Sequence, residues 1–254
     1  MLFRSAAHLG VRLVGLLRTD VRLRPQLAIR AAAFREFVRL MLPKMVAQPV
    51  EPLIFLFFTQ LASTLGEGSV SSLSFARNFQ AVPVSLIGAS FSLAVFPRLS
   101  AVAAAGDRRG FIRLLSGNVA SIGALTTAAA LALAVLGGPV IDVLLSGGAF
   151  DAEDVARTTA LVTAFALSVP FDSVTYPLAR ACYATRNTGW PVAGSVVGLA
   201  VVVAVTPALA GGIGIVAIPA GYAIGMAAKV AVISLAVLPR ARSLRPPGDE
   251  PAAA

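Results

Sequence analysis

Several ionisable and hydrogen-bonding side chains lie inside stretches of this sequence that are otherwise apolar. Between residues 45 and 96 they are Glu51, Ser74, Arg77, Asn78 and Gln80. A charge buried in hydrocarbon costs several kcal/mol, so such groups are candidates for function. An arginine in this setting can bind a phosphate or a carboxylate through paired hydrogen bonds. We therefore predict that these five residues line a substrate cavity that binds an anion such as a lipid pyrophosphate. Alternatively, Arg77 extends to the membrane surface or forms a purely structural pair with Glu51.

A second candidate is Asp172, which stands beside Pro170 near the middle of another apolar stretch. Together with Glu51 it could couple transport to a proton or a cation. Alternatively, Asp172 caps a helix that breaks at Pro170, or it pairs with Arg180 two turns further on. Lys229, in the last apolar stretch, is expected to extend its long stem to the membrane surface.

The residues needed for catalysis or metal binding are scarce. The chain has one histidine, His8, and one cysteine, Cys182, which excludes an internal disulfide and a cysteine-based metal site. The sequence contains no Ser–His–Asp set and no phosphate-binding loop. We expect no enzymatic activity, no cofactor and no bound metal. The net charge of +9 comes from residues that flank apolar runs without interleaved aromatics, so nucleic-acid binding is not expected either.

The composition identifies the solvent around these residues. The chain is 57% hydrophobic and 13% charged, whereas soluble domains are about a quarter charged. The apolar residues form runs that reach the roughly 20 residues needed to cross a bilayer. We predict an all-α polytopic transmembrane bundle of residues 45–238. Its six spans lie at about 45–64, 70–96, 115–137, 156–180, 190–209 and 212–238.

The basic residues give this bundle an orientation. All but three of the 21 lysines and arginines fall in the first 44 residues, in the loops near 98–113 and 180–186, or after residue 239. The exceptions are Arg77, Arg157 and Lys229. Because basic loops stay in the cytoplasm, both termini are predicted to be cytoplasmic in a bacterial inner membrane.

Two terminal segments flank the bundle. Residues 1–44 are predicted to be a basic cytoplasmic or interfacial segment, comprising an amphipathic helix over 30–42 and either a further interfacial helix or the end of a truncated preceding span. Residues 239–254, rich in Pro, Ala and charge, are predicted to be a disordered cytoplasmic tail.

Short motifs in order along the chain resemble one known family. They are Leu40-Met-Leu-Pro-Lys44, Glu67-Gly-Ser-Val-Ser71, Phe96-Pro-Arg-Leu-Ser100, Gly106-Asp107, Phe111-Ile-Arg-Leu-Leu115, Gly148-Ala-Phe-Asp-Ala-Glu-Asp154 and Tyr183-Ala-Thr-Arg-Asn-Thr-Gly-Trp-Pro191. Over residues 38–240 this order and spacing resemble the lipid II flippase family, the MurJ/MviN branch of the multidrug/oligosaccharidyl-lipid/polysaccharide exporter superfamily.

The resemblance implies a fold and a function. In that family about fourteen helices form two lobes around a cationic cavity, and the lobes alternate access to move a lipid-linked cell-wall precursor across the membrane. This chain resembles the second lobe only, so the implied partners are membrane lipids, the lipid-linked precursor, and a first-lobe polypeptide or a second copy. Some positions depart from the family pattern. Asn78 stands where the family has a second-lobe arginine, with Arg77 one residue earlier, and Tyr183-Ala-Thr-Arg-Asn-Thr188 displaces another arginine.

Three functions therefore compete. The leading one is part of a flippase-like transporter for lipid-linked peptidoglycan precursors. The second is a non-transporting membrane scaffold or decayed fragment, and the third is cation-coupled export of small molecules, which would depend on Asp172 and Glu51.

Overall fold

The structure is a computed structural model that describes residues 9–12, 15, 32–147 and 150–244. By their internal contacts the residues divide into two compact units, Met1–Val38 and Arg39–Ala254. Most of the predicted basic segment 1–44 and most of the tail 239–254 lie outside the described residues. Those two predictions are therefore not addressed by the structure.

The described residues are almost entirely helical, as predicted. Within residues 32–147 and 150–244 the α-helices are α1 (Ala32–Ala47), α2 (Val50–Ser63), α3 (Ser69–Pro83), α4 (Ser90–Ala104), α5 (Arg108–Leu145), α6 (Ala152–Ala166), α7 (Val169–Ala184), α8 (Gly189–Ile213) and α9 (Ala217–Ser243). A π-helical segment, Val84–Ala89, joins α3 to α4, and a short 3₁₀ turn, Gly214–Val216, joins α8 to α9.

Helix ends follow from local chemistry. The Asp107 side chain accepts a hydrogen bond from the backbone N–H of Gly110 and so caps α5. Asp151 does the same for α6 by accepting from the N–H groups of Glu153 and Asp154. These caps satisfy donors that the first helical turn leaves unpaired.

Prolines explain where the helices break. Pro49 lies at the turn between α1 and α2, which the chain makes at Gln48–Pro49. Pro83 ends α3 because a proline provides no N–H for the carbonyl four residues earlier. The π-helical segment follows it directly. A π-bulge inside a long helix is frequently found at a functional site.

Three helical stretches among the described residues are long and apolar enough to cross a membrane: Ser69–Ala104, Arg108–Leu145 and Gly189–Pro239. A fourth forms if α6 and α7, which meet at a bend of 41°, count as one span. Helix α2 is apolar but has only 14 residues. The prediction of a polytopic all-α membrane bundle is confirmed, whereas the number of six spans stays a prediction.

The last of these stretches folds back on itself. Gly214, with a φ of 58°, reverses the chain between α8 and α9. The two helices then pack side by side through glycines. A Cβ atom added to Gly225 would lie 2.8 Å from the carbonyl oxygen of Gly198, and one added to Gly194 would lie 2.8 Å from Ile233. Small residues of this kind let two helix backbones approach closely in a membrane. The stretch therefore supplies two long helices of 25 and 27 residues.

The core lies where the helices converge. One cluster centres on Phe58, Leu73, Phe165 and Tyr222, with Phe58 and Phe165 both packed edge-on against the Tyr222 ring. The outward surface is apolar as well: Val135 and Val143 are 73% and 82% exposed. Large apolar side chains that cover the outside of a bundle are suited to contact lipid.

Candidate functional site

A cavity of about 310 Å³ opens between α2, α7, α8 and α9. We call it the central cavity. Four ionisable residues line it, namely Glu51, Asp172, Arg180 and Lys229. Its size is within the range of ligand-binding clefts, and its walls combine apolar side chains with a few polar groups, as such clefts do.

Asp172 is the centre of a hydrogen-bond network at one end of this cavity. The Tyr222 hydroxyl donates to Asp172 Oδ2 over 2.9 Å, and Gln80 Nε2 donates to the same oxygen over 3.2 Å. Gln80 Nε2 also lies 3.5 Å from Ser168 Oγ. The network therefore joins α3, α7 and α9 through one carboxylate.

The position of Asp172 results from the break between α6 and α7. Asp172 stands in the first turn of α7, where the helix dipole stabilises a negative charge. Its own N–H bonds to the carbonyl of Ser168 at the bend. The π-helical segment passes close by, because a Cβ atom added to Gly88 would lie 2.9 Å from Ser173. Two interrupted helices thus meet beside this carboxylate. No ion pair joins Asp172 to Arg180.

Arg77 and Glu51 form an ion pair, with 3.4 Å between Arg77 Nη2 and Glu51 Oε1. The guanidinium also lies over the Phe55 ring, 5.2 Å from its centroid. The Glu51 side chain is 76% exposed and that of Arg77 23%. Glu51 lines the central cavity, whereas Arg77 does not. The pairing foreseen as an alternative is therefore formed, with one partner on the cavity wall.

The other predicted site residues of α3 divide into three environments. Asn78 is exposed on the surface of the helix. The Ser74 hydroxyl donates to the Val70 carbonyl within its own helix over 2.8 Å. Gln80 is 4% exposed and turned toward Asp172. The structure therefore brings Gln80 together with Asp172 and Arg77 with Glu51, but it does not bring all five residues to one surface.

The cavity also contains residues that the sequence analysis did not select as a site. Tyr176, Arg180 and Tyr183 are three of them, and together with the predicted Asp172 they recur every three or four residues along α7 on the cavity wall. This spacing places them on one face of a helix, so it is a signal that the sequence carried. Tyr222 had no such signal, since its role depends on a contact with a residue 50 positions earlier.

Two of the lining residues are cations without a carboxylate partner among the described residues. Arg180 was assigned to a cytoplasmic loop, but α7 continues to Ala184 and keeps Arg180 within the helix. Lys229 was expected to extend toward the membrane surface. It instead lines the cavity, with its stem next to Gly198 of α8.

Arg180 also lines a second void, of about 10 Å³, with Ser92 and Asn118. One nitrogen of its guanidinium, the Ser92 hydroxyl and the Asn118 carbonyl oxygen are each buried without a hydrogen-bond partner among the described residues. This small void lies between α4, α5 and α7, and most of its other lining residues are apolar.

Arg157, one of the three exceptions to the charge pattern, joins α6 to the loop between α2 and α3. It contacts Glu153 over 2.7 Å and Asp154 over 3.4 Å, and it donates to the carbonyl of Glu67 over 2.7 Å. The positive charge is therefore locally neutralised.

A bundle of long apolar helices that encloses a cavity lined by ionisable side chains is the architecture of a polytopic membrane transporter. Comparison with known proteins is more specific. A family model described as lipid II flippase MurJ matches residues 5–247, so the chain belongs to the lipid II flippase MurJ family. The resemblance of the sequence motifs is thereby confirmed and extended.

Individual relatives agree. The probable lipid II flippase MurJ of Bdellovibrio bacteriovorus is 33% identical over 172 residues, which are 68% of this chain and 33% of that protein. The lipid II flippase MurJ of Burkholderia cenocepacia is 27% identical over 186 residues, which are 72% of this chain and 36% of that protein. The chain therefore spans about a third of the length of these relatives.

Solved structures show the same fold. A lipid II flippase MurJ in an inward closed conformation superposes with a TM-score of 0.70 at 21% identity, covering 89% of this chain and 47% of that one. A MATE protein in its straight conformation gives a TM-score of 0.65 at 16% identity, covering 82% and 45%. The chain thus corresponds to about half of each transporter.

Proposed function

We propose that this chain forms the second lobe of a lipid II flippase-type transporter in the bacterial inner membrane, with both termini in the cytoplasm. Its substrate is a lipid-linked peptidoglycan precursor, moved by rocking of two lobes about a midplane site. A first-lobe polypeptide or a second copy of the chain completes the pathway. The observation that carries the proposal is the ionisable cavity inside apolar helices of a chain that belongs to this family.

The exposed polar residues of α2 and α3 support the proposal that a partner lobe faces this surface. Glu51 is largely exposed, and Asn78 is exposed one helix away, although both stand in apolar stretches. A carboxylate in contact with hydrocarbon costs several kcal/mol, so this surface must face water or protein in the membrane. A second lobe across an aqueous pathway provides that environment.

Within this proposal the residues of α2 and α3 have distinct roles. Arg77 and Asn78 contact the anionic headgroup, and Glu51 holds Arg77 until a phosphate replaces it as the ion-pair partner. Ser74 and Gln80 belong to the same proposed site, with Gln80 acting through Asp172, to which it is bonded.

A second role is favoured by the network at Asp172. We propose that Asp172, with Glu51 on the same cavity, takes up a proton or a monovalent cation that drives the lobe movement. Interrupted helices that meet near the middle of the membrane provide ion sites in other transporters. Here the bend before α7 and the π-helical segment after α3 meet beside this carboxylate. We expect transport to depend on sodium or on a proton gradient. In the Asp172→Asn variant, transport should no longer depend on that ion.

Complementation of a cell depleted of its own flippase tests the proposed function. This chain alone should not restore growth, whereas co-expression with a first-lobe polypeptide should. Substitution of Arg77, Asn78 or Glu51 by Ala should then reduce rescue without lowering the amount of chain in the membrane.

Three outcomes would contradict the proposal. Rescue by this chain alone would refute the need for a partner. Unaltered rescue by all three alanine variants would favour a non-transporting scaffold. Sodium- or proton-dependent efflux of small molecules without rescue would instead favour the exporter alternative.

A further inference from the structure

The central cavity is electrically polarised along its length. At one end of the cavity Tyr222 of α9 is hydrogen-bonded to Asp172 of α7. Further along both helices, Ala181 of α7 and Val237 of α9 belong to the same core cluster. Helices α7 and α9 therefore run in the same direction. Arg180 lies eight residues beyond Asp172, and Lys229 lies seven beyond Tyr222. At 1.5 Å per residue, both cations are about 10–12 Å along the bundle from the carboxylate. They consequently stand at the same level, on two facing helices.

The two ends of the cavity differ in whether their charges are already compensated. Asp172 accepts hydrogen bonds from Tyr222 and Gln80, and Glu51 is paired with Arg77. Arg180 and Lys229, by contrast, form no ion pair within the described part of the chain. An uncompensated cation in apolar surroundings is unfavourable unless an anion occupies the site.

The Lys229 ammonium group cannot reach the membrane surface from its position in α9. It stands 12 residues after the start of α9 and 14 before its end, or about 18 and 21 Å along the axis. A lysine stem spans only about 6 Å, so the ammonium does not reach either end of the helix, and extension to the membrane surface does not account for it. Arg180 stands four residues before the end of α7, and besides the central cavity it lines the small void that also contains Asn118.

We infer that Arg180 and Lys229 form a subsite for a phosphate or pyrophosphate group, deepening the proposed function, on which the inference rests. Two positive charges on facing helices match a dianion. The guanidinium fork contacts two phosphate oxygens while the ammonium acts as a point charge. The Tyr176 hydroxyl, one turn before Arg180 on the same cavity face, is a further donor. This subsite is separate from Arg77, which lies off the cavity.

Binding to the purified full chain in nanodiscs tests this inference. Three probes separate the possible sources of the anion: inorganic pyrophosphate, farnesyl pyrophosphate and uncharged farnesol. Farnesyl pyrophosphate is expected to bind, and Arg180→Gln and Lys229→Gln should each raise its Kd about tenfold, the effect of losing one charge-assisted contact. Farnesol binding should not change. Arg113→Gln, the same substitution at an exposed position on α5, is the matched control and should leave both Kd values unaltered.

The charge-conserving Arg180→Lys loses the paired contact but keeps the charge, so it should bind more tightly than Arg180→Gln, which separates loss of charge from loss of folding. Equal affinity for inorganic pyrophosphate would support the subsite and identify a free anion as its ligand. Unchanged binding in both glutamine variants, or an equal loss in Arg113→Gln, would overturn it. If the binding test fails but complementation succeeds, the proposed subsite is refuted and the proposed function is not.

Discussion

Replacement of Tyr222 by Phe isolates one bond of the network around Asp172. The ring stays, so its edge-on contacts with Phe58 and Phe165, at centroid distances of 5.9 and 6.0 Å, are preserved. Only the hydroxyl that donates to Asp172 over 2.9 Å is lost. The effect on stability therefore reports the bond and not the packing.

The size of the effect follows from the chemistry of the pair. Hydrogen bonds to a charged group contribute about 1.5–3 kcal/mol in soluble proteins. Interhelical bonds in membranes average about 0.6 kcal/mol, with values up to about 1.7 kcal/mol. Because this bond is short and its acceptor is a carboxylate, we expect Tyr222→Phe to lower the free energy of unfolding by about 1–2 kcal/mol. Tyr222→Ala should cost about 3–5 kcal/mol, since it also removes the buried ring.

Denaturant unfolding of the purified chain in mixed micelles measures these differences. Tyr176→Phe is the matched control, because Tyr176 lines the same cavity and its hydroxyl has no hydrogen bond in the described structure. It should change stability by a few tenths of a kcal/mol at most. A double-mutant cycle with Asp172→Ala, which removes the acceptor, should give a coupling energy close to the single effect of Tyr222→Phe. If Tyr222→Phe is neutral, or the two effects simply add, the network does not hold α7 to α9 and the reasoning is refuted.

Three further substitutions test the fold around the cavity by the same unfolding measurement. Gly225→Leu should lower the free energy of unfolding by more than about 3 kcal/mol, because the new Cβ would lie 2.8 Å from the Gly198 carbonyl oxygen. A neutral result would show that α8 and α9 are not in close contact. Asp151→Ala should cost about 1 kcal/mol through loss of the α6 cap, and Asp151→Asn should restore most of it. Gly68→Ala should cost about 1–3 kcal/mol, since its φ is 75° and the added methyl meets Arg157, and a stabilising effect would contradict that backbone conformation.

Local features of the fold were predictable because short-range chemistry determines them. Glycines at 66, 68, 106 and 214 adopt positive φ in the connections between helices, where a side chain would be strained. Asp151 caps its helix, and the prolines at 49 and 83 coincide with helix breaks. Each of these needs only neighbouring residues to be known. The length of the apolar stretches was then enough to predict that the helices lie in a membrane.

The site was less accessible from sequence because it depends on which helices face one another. The pairing of Arg77 with Glu51 could be named as an alternative, since both stand in adjacent apolar stretches. The register of α7 against α9, which places Arg180 level with Lys229, could not be deduced from spacing. Nor could the contact between Gln80 and Asp172, 92 residues apart. Such long-range registers are set by the packing of apolar faces, which many sequences share.

The proposed transporter depends on one claim: these helices cross the bilayer, and the basic loop near residues 98–113 lies in the cytoplasm. A measurement of membrane topology tests this claim most directly. Single cysteines can be placed at Arg109 and Glu67, both exposed, in a chain whose buried Cys182 is replaced by Ser. On intact spheroplasts an impermeant maleimide should label the cysteine at 67 at once and the one at 109 only after permeabilisation. Labelling of position 109 from outside, or recovery of the chain in the soluble fraction without detergent, would contradict it.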